Sequence, residues 1–383
     1  MNGLTSREMV RVDDGGESPR AGLPGLLASP VPRDEAVLQA LGAIRAGGVP
    51  GLLEILAHHR LEGLAHRAVA RLPQEILDPW LRSSLRRRAQ RFAAATLSQA
   101  LALGEILDGL ERASIPVAVM RGVRLVETIY ADRSLRPFED HDLLVLPEDR
   151  DPARAVLSRL GFEEQAWGLF RRGGVLVDLH VDPLGAHRRP SRQSVFPVDL
   201  RSLFARATRG TVAGASSLLF TAEDELLLLA LHLVKHSFDP LIRLADVAHF
   251  VYQKRGSLDW ELLFHRARVC GASRVLGWSL RTLPLVGVSV RAVDLPAIEE
   301  EDGVVERFLM RRVLEARPVP YTGEALMTMS APNLGTRIRF LLDALWPAGE
   351  RPRGAWRATA DLPRRVIRLT QGAAAHVREG RRR

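Results

Sequence analysis

Apolar positions follow two different periods along this chain, and the period changes twice. From about residue 33 to 113 they recur every three to four residues, as on the buried face of a helix. Leu38, Leu41 and Ile44, then Leu52, Leu53, Ile55 and Leu56, carry that pattern, with breaks at Gly47-Gly48-Val49-Pro50-Gly51 and at Leu72-Pro73. A long helix is expected from Pro79 to Ala113. From 114 to 215 the apolar residues stand in short continuous runs instead, which is how buried strands read. These runs are Ile115 to Met120, Leu143-Leu144-Val145-Leu146 ended by Pro147, Gln165 to Phe170, and Gly174 to Val181. The last two flank a turn at Arg171-Arg172-Gly173-Gly174, and Asp149 to Leu160 reads as a helix. Helical spacing returns at Thr221, where Asp224 three residues on makes a good N-cap. Another helix opens around Ser257 to Leu263.

The pattern predicts an α+β fold. A small mixed sheet of about four or five strands lies in a core spanning 114–215. An N-terminal helical region, 33–113, and a C-terminal one, 216–350, flank it. Residues 1–32 are rich in Gly, Pro and Ser, show no period and are expected to be disordered. Residues 351–383 form a basic tail.

Candidate chemistry sits in the strand-rich core. Asp140-His141-Asp142 opens the run Leu143 to Leu146. Residues i and i+2 of a strand share a face, so the two carboxylates aim at one point and His141 faces the other way. Asp178 stands inside a second apolar run, Val175-Leu176-Val177-Asp178-Leu179, where a carboxylate is costly unless something pairs it. An Asp-x-Asp can also cap a turn. If the two strands are neighbours, Asp140, Asp142 and Asp178 converge within ~4–8 Å as a site for a hard divalent cation, Mg²⁺ or Mn²⁺. Neutralising one of three clustered carboxylates, as in Asp142→Asn, is then expected to leave the metal-free protein as stable as before. Upstream, Met120-Arg121-Gly122 ends a strand and begins a helical segment through Val123, Val126 and Tyr130. A glycine turn at a helix start exposes backbone amides, and Arg121 adds positive charge for a phosphate. Arg136 can pair with a carboxylate or a phosphate. His180 shares the face of Asp178 and is expected beside the site. His232 and His236 share a helix face at i and i+4 but lack a third metal ligand, so contact with substrate or a core hydrogen bond is the expectation.

The set Met120-Arg121-Gly122, Tyr130, Arg136-Pro137, Asp140-His141-Asp142-Leu143-Leu144-Val145, Gly161-Phe162 and Val177-Asp178-Leu179-His180 resembles the uncharacterised nucleotidyltransferase family, within the DNA polymerase beta-like nucleotidyltransferase superfamily. The likeness continues through Leu231-His232, Lys235-His236, Asp246, Asp259-Trp260, Arg337 and Leu345-Trp346-Pro347. It implies transfer of a nucleoside monophosphate from a nucleoside triphosphate such as ATP to an acceptor. Asp140, Asp142 and Asp178 would be the catalytic metal ligands. Arg121, Gly122, Arg136 and His180 would lie on the nucleotide. The chain departs from the family by Arg121 where Lys is commoner, and by His141 where the residue is usually apolar.

Composition narrows the alternatives. One cysteine, Cys270, excludes a disulfide framework and a cysteine zinc site, and fits a reducing cytoplasm. The longest apolar stretch, Leu226 to Val234, is too short to span a bilayer. Net charge is +9, but residues 351–383 hold ten arginines against Asp361 and Glu379, which leaves the body near neutrality. With aromatics at 5%, a nucleic-acid binder using the tail is disfavoured. Arg82, Arg86, Arg87, Arg88 and Arg91 read as a solvated helix face. A catalytically weak nucleotide-binding accessory protein of a biosynthetic cluster is the other rival. A small molecule, peptide or protein is favoured as acceptor over nucleic acid.

Deleting residues 358–383 should leave nucleotide binding and its metal dependence unchanged, as measured by titration. A gel shift in which the full chain alone binds RNA, steeply weakened by salt, would revive the nucleic-acid reading.

Overall fold

The short apolar runs become strands that pair across long sequence separations. The computed structural model describes residues 10–13, 23–44, 48–130, 132–166, 168–186, 189–292, 302–315, 319 and 321–345; the basic tail and Trp346-Pro347 lie outside them. The strands are β1 Val10–Asp13, β2 Ala118–Met120, β3 Asp140–Leu144, β4 Glu163–Ala166, β5 Leu169–Arg172, β6 Val175–His180, β7 Thr208–Val212, β8 Ala215–Leu219 and β9 Ser289–Ala292. β2 to β8 form one mixed sheet of seven strands in the order β4-β5-β6-β3-β2-β8-β7. β3 lies in the middle, antiparallel to β2 and parallel to β6. A parallel neighbour requires a crossover, which the helix Arg150–Arg159 and the meander β4-β5 supply.

The sheet is larger than the apolar runs indicate, for two local reasons. The expected strand from Gln165 to Phe170 is cut at Gly168, whose φ is +87° and where an added Cβ would lie 2.8 Å from the Leu179 carbonyl oxygen. β4 and β5 result, and the turn at Gly173-Gly174 joins β5 to β6. The hairpin β7-β8 is mostly polar, so it carries no apolar run. Ala213 and Gly214 make its turn, both with positive φ (53° and 78°), as a two-residue hairpin requires. The sheet thereby extends to Leu219, past residue 215.

The helix Pro79–Arg112 ties the sheet to the rest. Asp78 caps it, accepting from the amides of Trp80 and Leu81 at 2.7 and 3.1 Å. Its first half buries Leu81 and Leu85 in a helical core. Its second half buries Leu103, Ile106, Leu107 and Leu110 against the sheet. The helical core contains residues from both ends of the chain: Leu56 and Leu64 pack in one cluster with Leu231, Phe250, Trp278 and Phe340. Part of the segment expected to be disordered belongs to it as well. Leu27 and Ala28 are fully buried, and β1 pairs antiparallel with β9. That ordering depends on a partner more than 250 residues away, where Gly25 packs under the Leu285 carbonyl; no local pattern announces it.

A buried polar knot joins the sheet's approach to the C-terminal helices. Arg136 forks onto Asp246, Nε to Oδ1 at 3.1 Å and Nη2 to Oδ2 at 2.8 Å, and the Tyr130 hydroxyl donates to Oδ1 at 2.7 Å. All three residues are at most 9% exposed. Removing one partner of such a pair strands the other charge, so Asp246→Ala should lower unfolding stability by about 3–5 kcal/mol in urea denaturation, while Tyr130→Phe should cost only about 1 kcal/mol.

Candidate active site

Strand register assembles the carboxylates. Asp142 on β3 is directly opposite Asp178 on β6, and Asp140 precedes Asp142 by two, on the same face. His180 follows Asp178 by two. Its Nε2 lies 2.9 Å from Asp142 Oδ1 and 3.4 Å from Asp178 Oδ2. Ligand atoms of Asp142, Asp178 and His180 all fall within 4.8 Å of one another; Asp140 is not in that group but lines the same cleft. His141 faces the other way, 1% exposed, its ring 5.6 Å from that of Phe138.

Arg121 closes the cluster from β2's end. Its Nε and Nη2 reach Asp142 Oδ2 and Oδ1 at 2.9 and 2.8 Å, and its Nη1 lies 2.6 Å from His232 Nδ1. The turn that aims it is unusual: Arg121 has φ 56° and Gly122 φ 47°. An added Cβ on Gly122 would sit 3.4 Å from the Asp140 carbonyl oxygen in a conformation L residues resist, so glycine is needed there. The helix that follows, Gly122–Thr128, is only seven residues long. Its dipole is small beside the guanidinium charge.

The two neighbouring aspartates are driven in opposite directions. Burial, then the charges of Asp142 and Asp178, raises the Asp140 carboxyl above its usual range. Burial acts on Asp142 in the same sense, but the Arg121 charge and the His180 hydrogen bond outweigh it and hold Asp142 well below the carboxylate range. The expectation that neutralising Asp142 leaves stability untouched is therefore corrected. Repulsion among the carboxylates falls on Asp140, while Asp142 is the paired member.

The facing wall is cationic. The helix Ala222–Lys235 presents His232 and Lys235, with His236 at its C-cap, and Arg243 and Arg60 complete the lining. Arg243 Nε donates to His232 Nε2 at 3.2 Å, so two guanidiniums converge on one imidazole that burial and Arg121 keep neutral. A neutral ring accepts at only one nitrogen, which leaves this wall richer in donors than acceptors. Burial, then Arg192 and Arg121, brings Lys235 down to about 7. Burial, then Arg243, holds His236 neutral at about 2. Sequence reasoning placed Lys235 in the family likeness without a role and did not name Arg243 or Arg60. One signal for Lys235 was present: it is one of two lysines in a chain that otherwise uses arginine. Arg136 also lines the cleft, but its guanidinium is committed to Asp246.

The parallel pair β3-β6 thus sets register-matched aspartates opposite a cationic helix. The family model of uncharacterised nucleotidyltransferases matches residues 48–286, and the chain belongs to that family. No curated protein matches the chain. Two solved structures are similar to it. One is a crystal structure of ANT(2")-Ia in complex with adenylyl-2"-tobramycin, 18% identical, covering 45% of this chain and 98% of that one with a TM-score of 0.31. The other is a solution structure of the antibiotic-resistance factor ANT(2'')-Ia, 17% identical, covering 45% and 92%, also with a TM-score of 0.31.

Asp142→Asn should cost about 1–3 kcal/mol of stability at pH 7 in chelator, because it breaks charge-assisted bonds to Arg121 and His180. Asp140→Asn should be neutral or stabilising. The Asp142 contribution is present above the unfolded carboxyl pKa of about 3.9 and is lost as acid protonates it, so the two variants should converge with wild type at low pH in urea titrations.

Proposed function

We propose that the chain transfers a nucleoside monophosphate from a nucleoside triphosphate to an acceptor hydroxyl, using Mg²⁺ or Mn²⁺ held by Asp140, Asp142 and Asp178. The observation that carries this reading is the register pairing of Asp142 with Asp178 beside Asp140, opposite a wall of Arg121, Lys235 and Arg243. The donor set fits the ion: clustered carboxylate oxygens, one of them (Asp140) destabilised as an anion by its neighbours, suit a hard cation. When bound, the ion neutralises charge on the transferring phosphate and orients it for in-line attack.

The chain's own residues do the remainder. Asp178 accepts the proton of the acceptor hydroxyl as the new ester bond forms and pyrophosphate leaves. Arg121 exchanges Asp142 for phosphate oxygens, and Gly122 lets the backbone approach them. Lys235 and Arg243 hold the departing phosphates, and the anion draws Lys235 into its charged form. His180 orients the Asp142 carboxylate. Arg136 acts on the nucleotide through position, since Asp246 holds its guanidinium. The near-neutral body and 5% aromatic content support a small-molecule, peptide or protein acceptor over nucleic acid, with ATP the first donor to try and the cytoplasm the compartment. Among the described residues no helix is long and apolar enough to cross a membrane. One observation favours a second reading, a nucleotide-binding accessory protein: Arg121 already occupies Asp142 through two bonds.

Incubation with each labelled triphosphate, Mg²⁺ or Mn²⁺ and a host lysate separates the readings. Transfer of label by wild type and its loss in Asp178→Asn is expected. Lys235→Met should still transfer but need about 10- to 100-fold more triphosphate, the loss of one charged hydrogen bond. Nucleotide binding without any labelled acceptor would favour the accessory reading.

A further inference from the structure

Outside the aspartate site, the C-terminal end of the helix Gly48–His59 meets the turn at Asp239-Pro240 that precedes the helix Ile242–Lys254. His58 Nε2 lies 3.5 Å from Asp239 Oδ2, and His59 Nδ1 lies 3.3 Å from Asp239 Oδ1. One ligand atom from each of the three falls within 4.8 Å of the others. These spacings are long for charge-assisted bonds, which close to about 2.7–2.9 Å. One imidazole faces each oxygen of the Asp239 carboxylate, at separations of the size found between neighbouring ligands of a zinc ion, about 3.3–3.4 Å for ligands at about 2.0–2.1 Å. The His59 Nδ1 also accepts a long hydrogen bond, 3.5 Å, from the Leu241 amide, which an ion at this nitrogen would displace because Nδ1 has a single lone pair. His58 is 43% exposed, so an ion can reach it from solvent.

The geometry points to a second metal site, in which His58, His59 and Asp239 bind a borderline transition ion of the zinc class. The donor set, two imidazoles and one carboxylate, selects zinc over magnesium, whereas the aspartate site is richer in oxygen. Zinc here would staple the N-terminal helical region to the C-terminal one. It would also fix the flanks of the catalytic cleft. Arg60 follows His59 and pairs with Glu139 at 2.9 Å, and Arg243 Nη1 donates to the Asp239 carbonyl at 2.7 Å; both arginines line the cleft. Zinc binding here does not depend on the aspartate site transferring nucleotide.

The test is zinc titration of the metal-free full chain against a chromophoric chelator, with excess Mg²⁺ to occupy the carboxylates. Wild type and Asp142→Asn/Asp178→Asn should each retain one zinc, while His58→Asn/His59→Gln should bind at least tenfold more weakly. Zinc should raise the melting temperature of wild type and not of that histidine variant. His58→Asn alone, at an exposed helix end, repeats the test with little risk to the fold, and circular dichroism of each variant checks it. Undiminished zinc in the histidine variants, loss of zinc in the aspartate variant, or no zinc on wild type would overturn the site.

Discussion

Everything in the cleft depends on the parallel pairing of β3 with β6. It sets Asp142 directly beside Asp178, an arrangement that two like charges in a partly buried site would resist. Arg121 and His180 make it tolerable by pairing with Asp142. The protein thus stores its carboxylates in unequal states. Asp142 is locked as an anion, and Asp140 is poised to gain when positive charge arrives.

In the proposed function, the arginine that pairs with Asp142 has to yield to phosphate. Arg121 cannot both fork onto Asp142 and grip a phosphate, because the planar guanidinium spends its Nε and Nη2 on one carboxylate. A lysine in its place would offer a compact charge and release more readily. The positive φ of Arg121 is the backbone device that aims this side chain back across the sheet edge. The cationic wall opposite has the complementary problem. Arg121, Arg243 and Lys235 crowd His232 and His236, and burial suppresses charge wherever it can, on both histidines and partly on Lys235. The polyanionic donor of the proposed function would resolve both imbalances at once.

The cleft is held open by packing remote from it. The helix Pro79–Arg112 spans the sheet core and the helical core, and the Tyr130–Arg136–Asp246 knot ties the segment entering β3 to the helix Ile242–Lys254. Helices from the two ends of the chain share one apolar cluster, so the helical regions are two halves of one support around the sheet and not separate flanks. This is why the facing wall, drawn from residues 232–243, is held against strands drawn from 118–180.

Local chemistry was enough to read the aspartates from sequence. Strand period puts Asp140 and Asp142 on one face, an apolar run makes Asp178 expensive without a partner, helical period marks the helix starting at Pro79, and period with a good cap marks the one after Thr221. Those signals live within a few residues, so no folded context is needed to see them. What escaped needed contacts between distant segments. The polar hairpin β7-β8 joins the sheet through β2, where Ala118 meets Leu218. Residues near Leu27 are ordered only because Leu285 and Val286 cover them. Arg136, chemically equal to a phosphate ligand in sequence, was assigned to Asp246 by a contact across 110 residues. Lys235, Arg243 and Arg60 became one cationic wall for the same reason. The sequence alone determined that Asp140 and Asp142 share a face, because backbone period is local; the tertiary structure decided that Asp178 joins them and which charges they meet, because strand pairing, side-chain pairing and desolvation are set by neighbours that only folding brings close.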